Sequence, residues 1–342
     1  MKYNFDEIVD RRDTNSLKYD FAVERGKPEG VLPLWVADMD MRAPIEVRKS
    51  LAEAGEHGIF GYSGAKPRYF EAVKQWMETW HHWSPQQEWL VKTPGIVYAA
   101  AAAVHAFTKE GEGCMMHNPG YYSIAQVVQD TGRVLVDSPL KEENGYYTMD
   151  FEDMEQKMAS GKVKLFILVN PHNPVGRVWK KEELERLGEL CVKYGVLIFS
   201  DEIHEDFVYP GYEHIVMAGM DGEKYRDITI TATAPSKTFN IAGLQVSNIF
   251  IANEKLRKAF MREIDKTGYS QLNQLGLVAC ESAYRYGRDW LEQLLVYLRG
   301  NLDFARAYIT ENMPGVRLIE PEGTYFLWLD FRKLGLEKEE LA

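Results

Sequence analysis

Cysteine is scarce: Cys114, Cys191 and Cys280 are odd in number and widely scattered over 342 residues, which excludes a disulfide framework or a paired metal-ligand spacing. They read as core thiols. Long apolar runs are missing too. No stretch of about 18 uncharged apolar residues occurs, and the opening MKYNFDEIVDRRD is charged where a signal peptide needs an apolar segment, so the chain is expected in the cytoplasm and not in a membrane. Basic charge is in deficit, with 40 Lys and Arg against 51 Asp and Glu and a net charge of -11, which removes the clustered cations a nucleic-acid partner requires. The glycine fingerprints of common nucleotide sites and hydrolases are also wanting. GEGCMM, residues 111 to 116, lacks the third glycine of a dinucleotide loop, GYSGA has Ala65 where a nucleophile elbow ends in glycine, and no G-x-x-x-x-G-K-[ST] is present. Adjacent His81 and His82 diverge by about 100° on a helix and have no H-E-x-x-H around them, so no metal site is expected.

What is there is an ordinary globular composition, 45% hydrophobic and 27% charged, long enough for a large core and two domains. From residue 89 onward, short Val- and Ile-rich runs alternate with helical patterns, the signature of an α/β fold with a mainly parallel sheet. Seven runs qualify: EWLVKT (88–93), GCMMHN (113–118), GRVLVDS (132–138), KLFILVN (164–170), GVLIFSDE (195–202), ITITATA (228–234) and VSNIFIAN (246–253). Their near-continuous apolarity predicts strands buried on both faces, with a ligand crevice outside their C-terminal ends. Amphipathic helices are predicted at about 45–58 and 66–80 before this block and at about 271–287 and 289–312 after it, followed by the strand TYFLWLDF. The expected division is 1–44 as the N-terminal part of a small α+β domain, 45–275 as the large domain, and 276–342 as the C-terminal part of the small one.

Each strand end offers a group with two readings. TPGIVYAAAAAV passes from strand to helix through Gly95, leaving the N–H groups of Gly95, Ile96 and Val97 either as an anion site or as a solvated helix start. Asp201, at the end of GVLIFSDEIH, needs a cationic partner, or caps the next segment or pairs with a nearby arginine. Asn173 in NPHNPVGRVW faces the same crevice or simply makes a turn. Tyr121 of HNPGYY offers a flat ring for stacking, or plugs the core. Lys237 lies just past an apolar strand among small residues, an odd place for an ammonium best left in water.

Taken together, WVADMD (35–40), FGYSG (60–64), NPHNPVGRVW (170–179), SDEIH (200–204), APSKTFNIAGLQ (234–245) and TYFLWLD resemble the fold-type I pyridoxal 5′-phosphate (PLP) enzymes, and most closely the MalY/PatB-type cystathionine β-lyases, or C–S lyases. The resemblance covers nearly the whole chain. It implies a seven-stranded large domain and a homodimer with the active site at its interface. Lys237 would carry PLP through its aldehyde carbon and act as the base. Asp201 would partner the pyridinium nitrogen, Asn173 and His204 would face the ring's 3-oxygen, and Tyr121 would stack on the ring. Gly95, Ile96, Val97 and Ser236 would hold the phosphate, helped by Tyr62 of a second subunit. The implied reaction is β-elimination from cystathionine or a cysteine-like S-conjugate, giving a thiol, pyruvate and ammonia. An aminotransferase, or a catalytically impaired PLP-binding or regulatory protein, stands as the alternative.

Gln245, where aminotransferases of the superfamily carry arginine, and Ala234, where many have serine, match the lyase branch. The resemblance also implies an arginine for the substrate carboxylate in a segment beyond EKEELA, so a truncated chain or an incomplete substrate site is expected; Arg317 and Arg332 do not match it.

Overall fold

The structure, a computed structural model, describes residues 2–337 and Glu340. Its strands are β1 (Leu90–Thr93), β2 (Gly113–Asn118), β3 (Val134–Pro139), β4 (Lys141–Glu143), β5 (Tyr146–Thr148), β6 (Val163–Val169), β7 (Leu197–Asp201), β8 (Thr229–Thr233), β9 (Ser247–Phe250), β10 (Arg317–Ile319) and β11 (Trp328–Asp330). The helices are α1 (Ile45–His57), α2 (Pro67–His81), α3 (Ile96–Phe107), α4 (Tyr122–Asp130), α5 (Phe151–Ala159), α6 (Lys181–Tyr194), α7 (Pro235–Thr238), α8 (Glu254–Lys266), α9 (Gln274–Tyr286) and α10 (Arg288–Asn312).

All seven apolar runs enter one sheet, in the order β1-β9-β8-β7-β6-β2-β3. Only β9 runs against its neighbours; the pairs from β8 through β3 are parallel. Alternation along the strands divides the core between the faces. Cys114, Leu165, Ile167 and Phe199 pack under α3, α4 and α8, while Met115, Phe166, Leu168 and Ile198 pack under α5 and α6. Cys114, Cys191 and Cys280 are all buried free thiols, as expected. One expectation is corrected: β3 is not buried on both faces. It lies at the sheet edge, with Val134 about half exposed, and among the described residues no strand pairs with its outer side.

Local chemistry accounts for the helices. Five consecutive alanines favour α3 and let it lie close on the sheet. Side-chain caps start three others: Asn253 Oδ1 accepts from Lys255 N–H at 3.0 Å, Asn273 Oδ1 from Gly276 N–H at 2.6 Å, and Asp150 Oδ1 from Asp153 N–H at 3.2 Å. A separate aromatic core, with Trp76, Phe239, Tyr284 and Trp290 at its centre, joins α2, α9 and α10 to the segment after Lys237. The TYFLWLDF strand is shorter than predicted; only Trp328–Asp330 pairs, with β10.

Candidate active site

Strand register brings the key side chains together. Asp201 pairs with Val169 of β6 and Ala232 of β8, so the ends of three central strands deliver the Asn173 loop, Asp201 and α7 with Lys237 side by side. A cavity of about 440 Å³ opens there. Its walls include Gly95, Ile96, Val97, Tyr121, Asn173, Asp201, His204, Ser236 and Lys237, residues named from the sequence. Tyr62 is not among them; its side chain is fully exposed, over 30 residues from the nearest of those residues after it in the chain.

The electrostatics are those of a site waiting for a cation and an anion. Asp201 is buried, and burial pushes its carboxyl up to about 7, with the Ile203 N–H bond and the Lys237 charge opposing the rise. That bond, 3.2 Å to Oδ1, realises the capping alternative, yet it leaves the carboxylate without a cation in contact. Burial pulls the Lys237 amine below the usual lysine range, against the pull of Asp38 and Asp201. Burial, with the neighbouring Lys237 charge, also takes the His204 ring down to about 3, so it is neutral, and its Nδ1 has no hydrogen-bond partner. The start of α3 has no side-chain cap, and Gly95 stands in extended backbone before it.

These residues fit PLP. A buried carboxylate without a cation suits a protonated ring nitrogen, an orphaned imidazole nitrogen suits a phenolic oxygen, a depressed lysine suits an aldehyde carbon, and an uncapped helix start suits a phosphate.

Other walls were missed by reasoning from strand ends. Ala37, Tyr98, Ala242 and Val246 line the same cavity, as does Gln245, singled out above only as a marker of the lyase branch. Ala37 belongs to WVADMD, whose acids are neutralised at a distance in sequence: Arg11 pairs with Asp38 and, at 2.7 Å, with Asp40, while Lys18 Nζ donates to the Asp38 carbonyl at 2.8 Å. Tyr325 Oη–H donates to the Ala37 carbonyl at 2.7 Å, and the Tyr325 and Phe326 rings stand edge-on to His204, with centroids 5.4 and 5.3 Å away. Arg177 joins two loops of the site: it pairs with Glu183 at 2.8 Å and with Glu322 at 2.7 Å, all within the protein. Lys237 is the only basic side chain other than histidine on the cavity wall among the described residues. Arg317 and Arg332 do not line it; both pair with Glu142 and Asp330.

His81 has long-range company that its neighbour His82 did not suggest. One ligating atom each of His81, Glu205 and His214 lie within 4.8 Å of one another, all buried. Both histidines direct Nε2 to carboxylates, His81 to Asp206 and His214 to Glu202, each at 2.9 Å.

Comparison with known proteins agrees over almost the whole chain. Residues 30–342 match the family model described as aminotransferase class I and II. The cystathionine β-lyase PatB of Bacillus subtilis is 41% identical over 338 residues, covering 99% of this chain and 87% of that one. Among solved structures, a PLP-bound protein of Clostridium difficile 630 with an aminotransferase name superposes with a TM-score of 0.96 at 44% identity, covering 99% of this chain and 87% of its own. Cystalysin of Treponema denticola, which contains PLP, gives 0.95 at 37% identity, covering 100% and 87%.

Proposed function

Because the chain belongs to the aminotransferase class I and II family, we propose that it is a PLP-dependent carbon–sulfur lyase, cleaving the Cβ–S bond of cystathionine or a cysteine-like S-conjugate to give a thiol, pyruvate and ammonia. The meeting of Lys237 and Asp201 in one cavity, each driven by burial toward its neutral form, supports PLP chemistry of either kind, and the observation that carries elimination is the 41% identity to the cystathionine β-lyase PatB.

Bound PLP supplies an electron-accepting ring conjugated to the substrate α-carbon. Lys237 Nζ would hold the cofactor and, as a free amine, would take the substrate α-proton; its depressed pKa suits it to act as a base. Asp201 would keep the ring nitrogen protonated. Asn173 and His204, on the cavity wall, would bond the ring's oxygen, and Tyr121 would stack on the ring. Gly95, Ile96 and Val97 would bring N–H groups and the positive end of α3 to the phosphate, joined by Ser236. When the β-carbon bears sulfur, the electron pair of the Cβ–S bond would leave with it as thiolate, and water would hydrolyse the remaining three-carbon fragment to pyruvate and ammonia.

A homodimer belongs to this proposal. Tyr62, with Ile59 and Phe60 beside it, exposes apolar surface that a second subunit would cover, placing Tyr62 at the partner's phosphate. The large domain is read as 45–275, holding the whole seven-stranded sheet, with 1–44 and 276–342 as the small one. Cytoplasmic placement accords with three free thiols; among the described residues no helix is long and apolar enough to cross a membrane.

Incubation with L-cystathionine separates the alternatives. Pyruvate and free thiol in equal amounts support the lyase. Amino transfer that depends on an added α-keto acid, without pyruvate from cystathionine, replaces it with the aminotransferase that the family description favours. A PLP absorbance band without either reaction leaves a binding protein.

A further inference from the structure

Lys237 stands on α7, a single turn of four residues, too short to be stable through its own backbone bonds. Local bonds close the turn: Phe239 N–H to the Pro235 carbonyl and Ile241 N–H to the Ser236 carbonyl, each 3.0 Å. Two neighbouring side chains then tie it to distant parts of the chain. Asn240 reaches the N-terminal lead, accepting from Met39 N–H at 2.9 Å and donating to the Met39 and Met41 carbonyls at 2.8 Å. Thr238 reaches inward, and its Oγ1–H donates to Asp206 Oδ2 at 2.6 Å.

Asp206 is a convergence point. Its Oδ1 meets Trp76 Nε1–H at 3.0 Å and His81 Nε2 at 2.9 Å, both from α2. Burial would raise this carboxyl, but His81, Thr238 and Trp76 together keep it below the usual range, so it stays charged inside the protein. The residue also shares a short stretch with the site itself. Asp201 and His204 line the cavity, whereas Asp206, five residues after Asp201, turns away toward α2 and Thr238.

We propose that Thr238 and Asp206 are a positioning pair, whose bond fixes the spacing between the turn carrying Lys237 and the stretch carrying Asp201, with α2 as the common support. Their role rests on the roles proposed for Lys237 and Asp201. Neither touches the cofactor or the reacting atoms. The carboxylate suits this task because three donors converge on two acceptor oxygens; an amide in its place turns a donor toward one of them. A bond that served stability alone would change the melting temperature and leave Lys237 chemistry as it was. A positioning bond changes both, since displacement of a reacting group by an ångström costs rate even where the fold is intact.

The test uses Thr238→Val, which removes the hydroxyl at nearly constant shape, and Thr238→Ser, which keeps it. Each PLP-stripped protein is mixed with PLP, attachment is followed by absorbance, and borohydride trapping with peptide mass analysis locates it on Lys237. Thermal unfolding and steady-state kinetics on L-cystathionine accompany this. For Thr238→Val, attachment and kcat are expected to fall about tenfold with KM changed less than about threefold, while Thr238→Ser stays within about threefold of wild type throughout. Attachment by Thr238→Val at the wild-type rate, with only the melting temperature lowered, would overturn the proposal, as would equal losses in the two variants. Should Thr238→Val not fold, Asp206→Glu decides: slowed attachment in a folded protein supports the pair, and an unchanged rate overturns it. Attachment needs no substrate, so a wild type that takes up PLP on Lys237 but releases nothing from cystathionine overturns the lyase reading and not this one.

Discussion

Replacing Asp201 with asparagine should stabilise the PLP-free protein at alkaline pH while disabling the loaded enzyme. The carboxyl is buried at the end of β7, and its pKa is pushed from 3.8 to about 7, burial being the main cause. A displacement of that size sets about 4 kcal/mol against the charged form. In the unfolded chain the group ionises from about pH 4 upward, whereas the folded protein holds its proton to about pH 7, so the unfolded state binds fewer protons between those limits and stability falls as pH rises through them. Asparagine carries no charge and escapes this penalty. The gain for Asp201→Asn is therefore about 4 kcal/mol at pH 8 and less than about 2 kcal/mol at pH 5. Urea denaturation of both PLP-stripped proteins at the two pH values, followed by tryptophan fluorescence, reads the difference directly. With PLP bound the balance reverses, because a ring cation against Asp201 rewards the charge, and turnover of Asp201→Asn should drop by about 100-fold or more. A variant no more stable than wild type at pH 8, or equally stabilised at both pH values, would refute the buried, cation-seeking carboxylate.

Lys237→Ala should abolish covalent PLP attachment and nearly all elimination with little loss of stability, and borohydride should label Lys237 in the wild type; a label on Lys255 or Lys258 would sink the assignment. Tyr62→Ala and Lys237→Ala proteins, each nearly inactive alone, should regain part of the activity when unfolded and refolded together, since a hybrid dimer holds one intact site; no recovery in a hybrid confirmed by native mass spectrometry would remove Tyr62 from the partner's site. Arg177→Met should cost about 3–5 kcal/mol in urea denaturation, because Glu183 and Glu322 lose their shared cation inside the protein; a change below about 1 kcal/mol would show that the pair of ion bonds contributes little.

Much of the fold was legible because a central parallel sheet buries both strand faces, which writes each strand as a continuous apolar run. All seven runs became strands of one sheet. The same logic overreached at β3, whose sequence is as apolar as a central strand but whose place at the edge depends on which strands pair. Site residues were legible where they sit at strand ends or just past them, as Asp201 and Lys237 do. Ala37, on the cavity wall, was not, since it follows no central strand and is held by a bond from Tyr325 across 288 residues. His81 beside His82 gave no sign of Asp206, Glu205 or His214, all more than a hundred residues away.

By itself the sequence determined the fold class and the strands and their ends, because hydrophobic periodicity and turn chemistry act over a few residues, while the groups proposed to hold PLP were legible through the family resemblance. Tertiary structure alone decided the reversed course of β9, the edge position of β3, the outward exposure of Tyr62 and the opposite facing of Asp201 and Asp206 within one short stretch. These depend on which distant surfaces exclude water together. Burial by such surfaces is also what moves the Asp201 carboxyl and the Lys237 amine away from their ordinary values, and no local pattern records it.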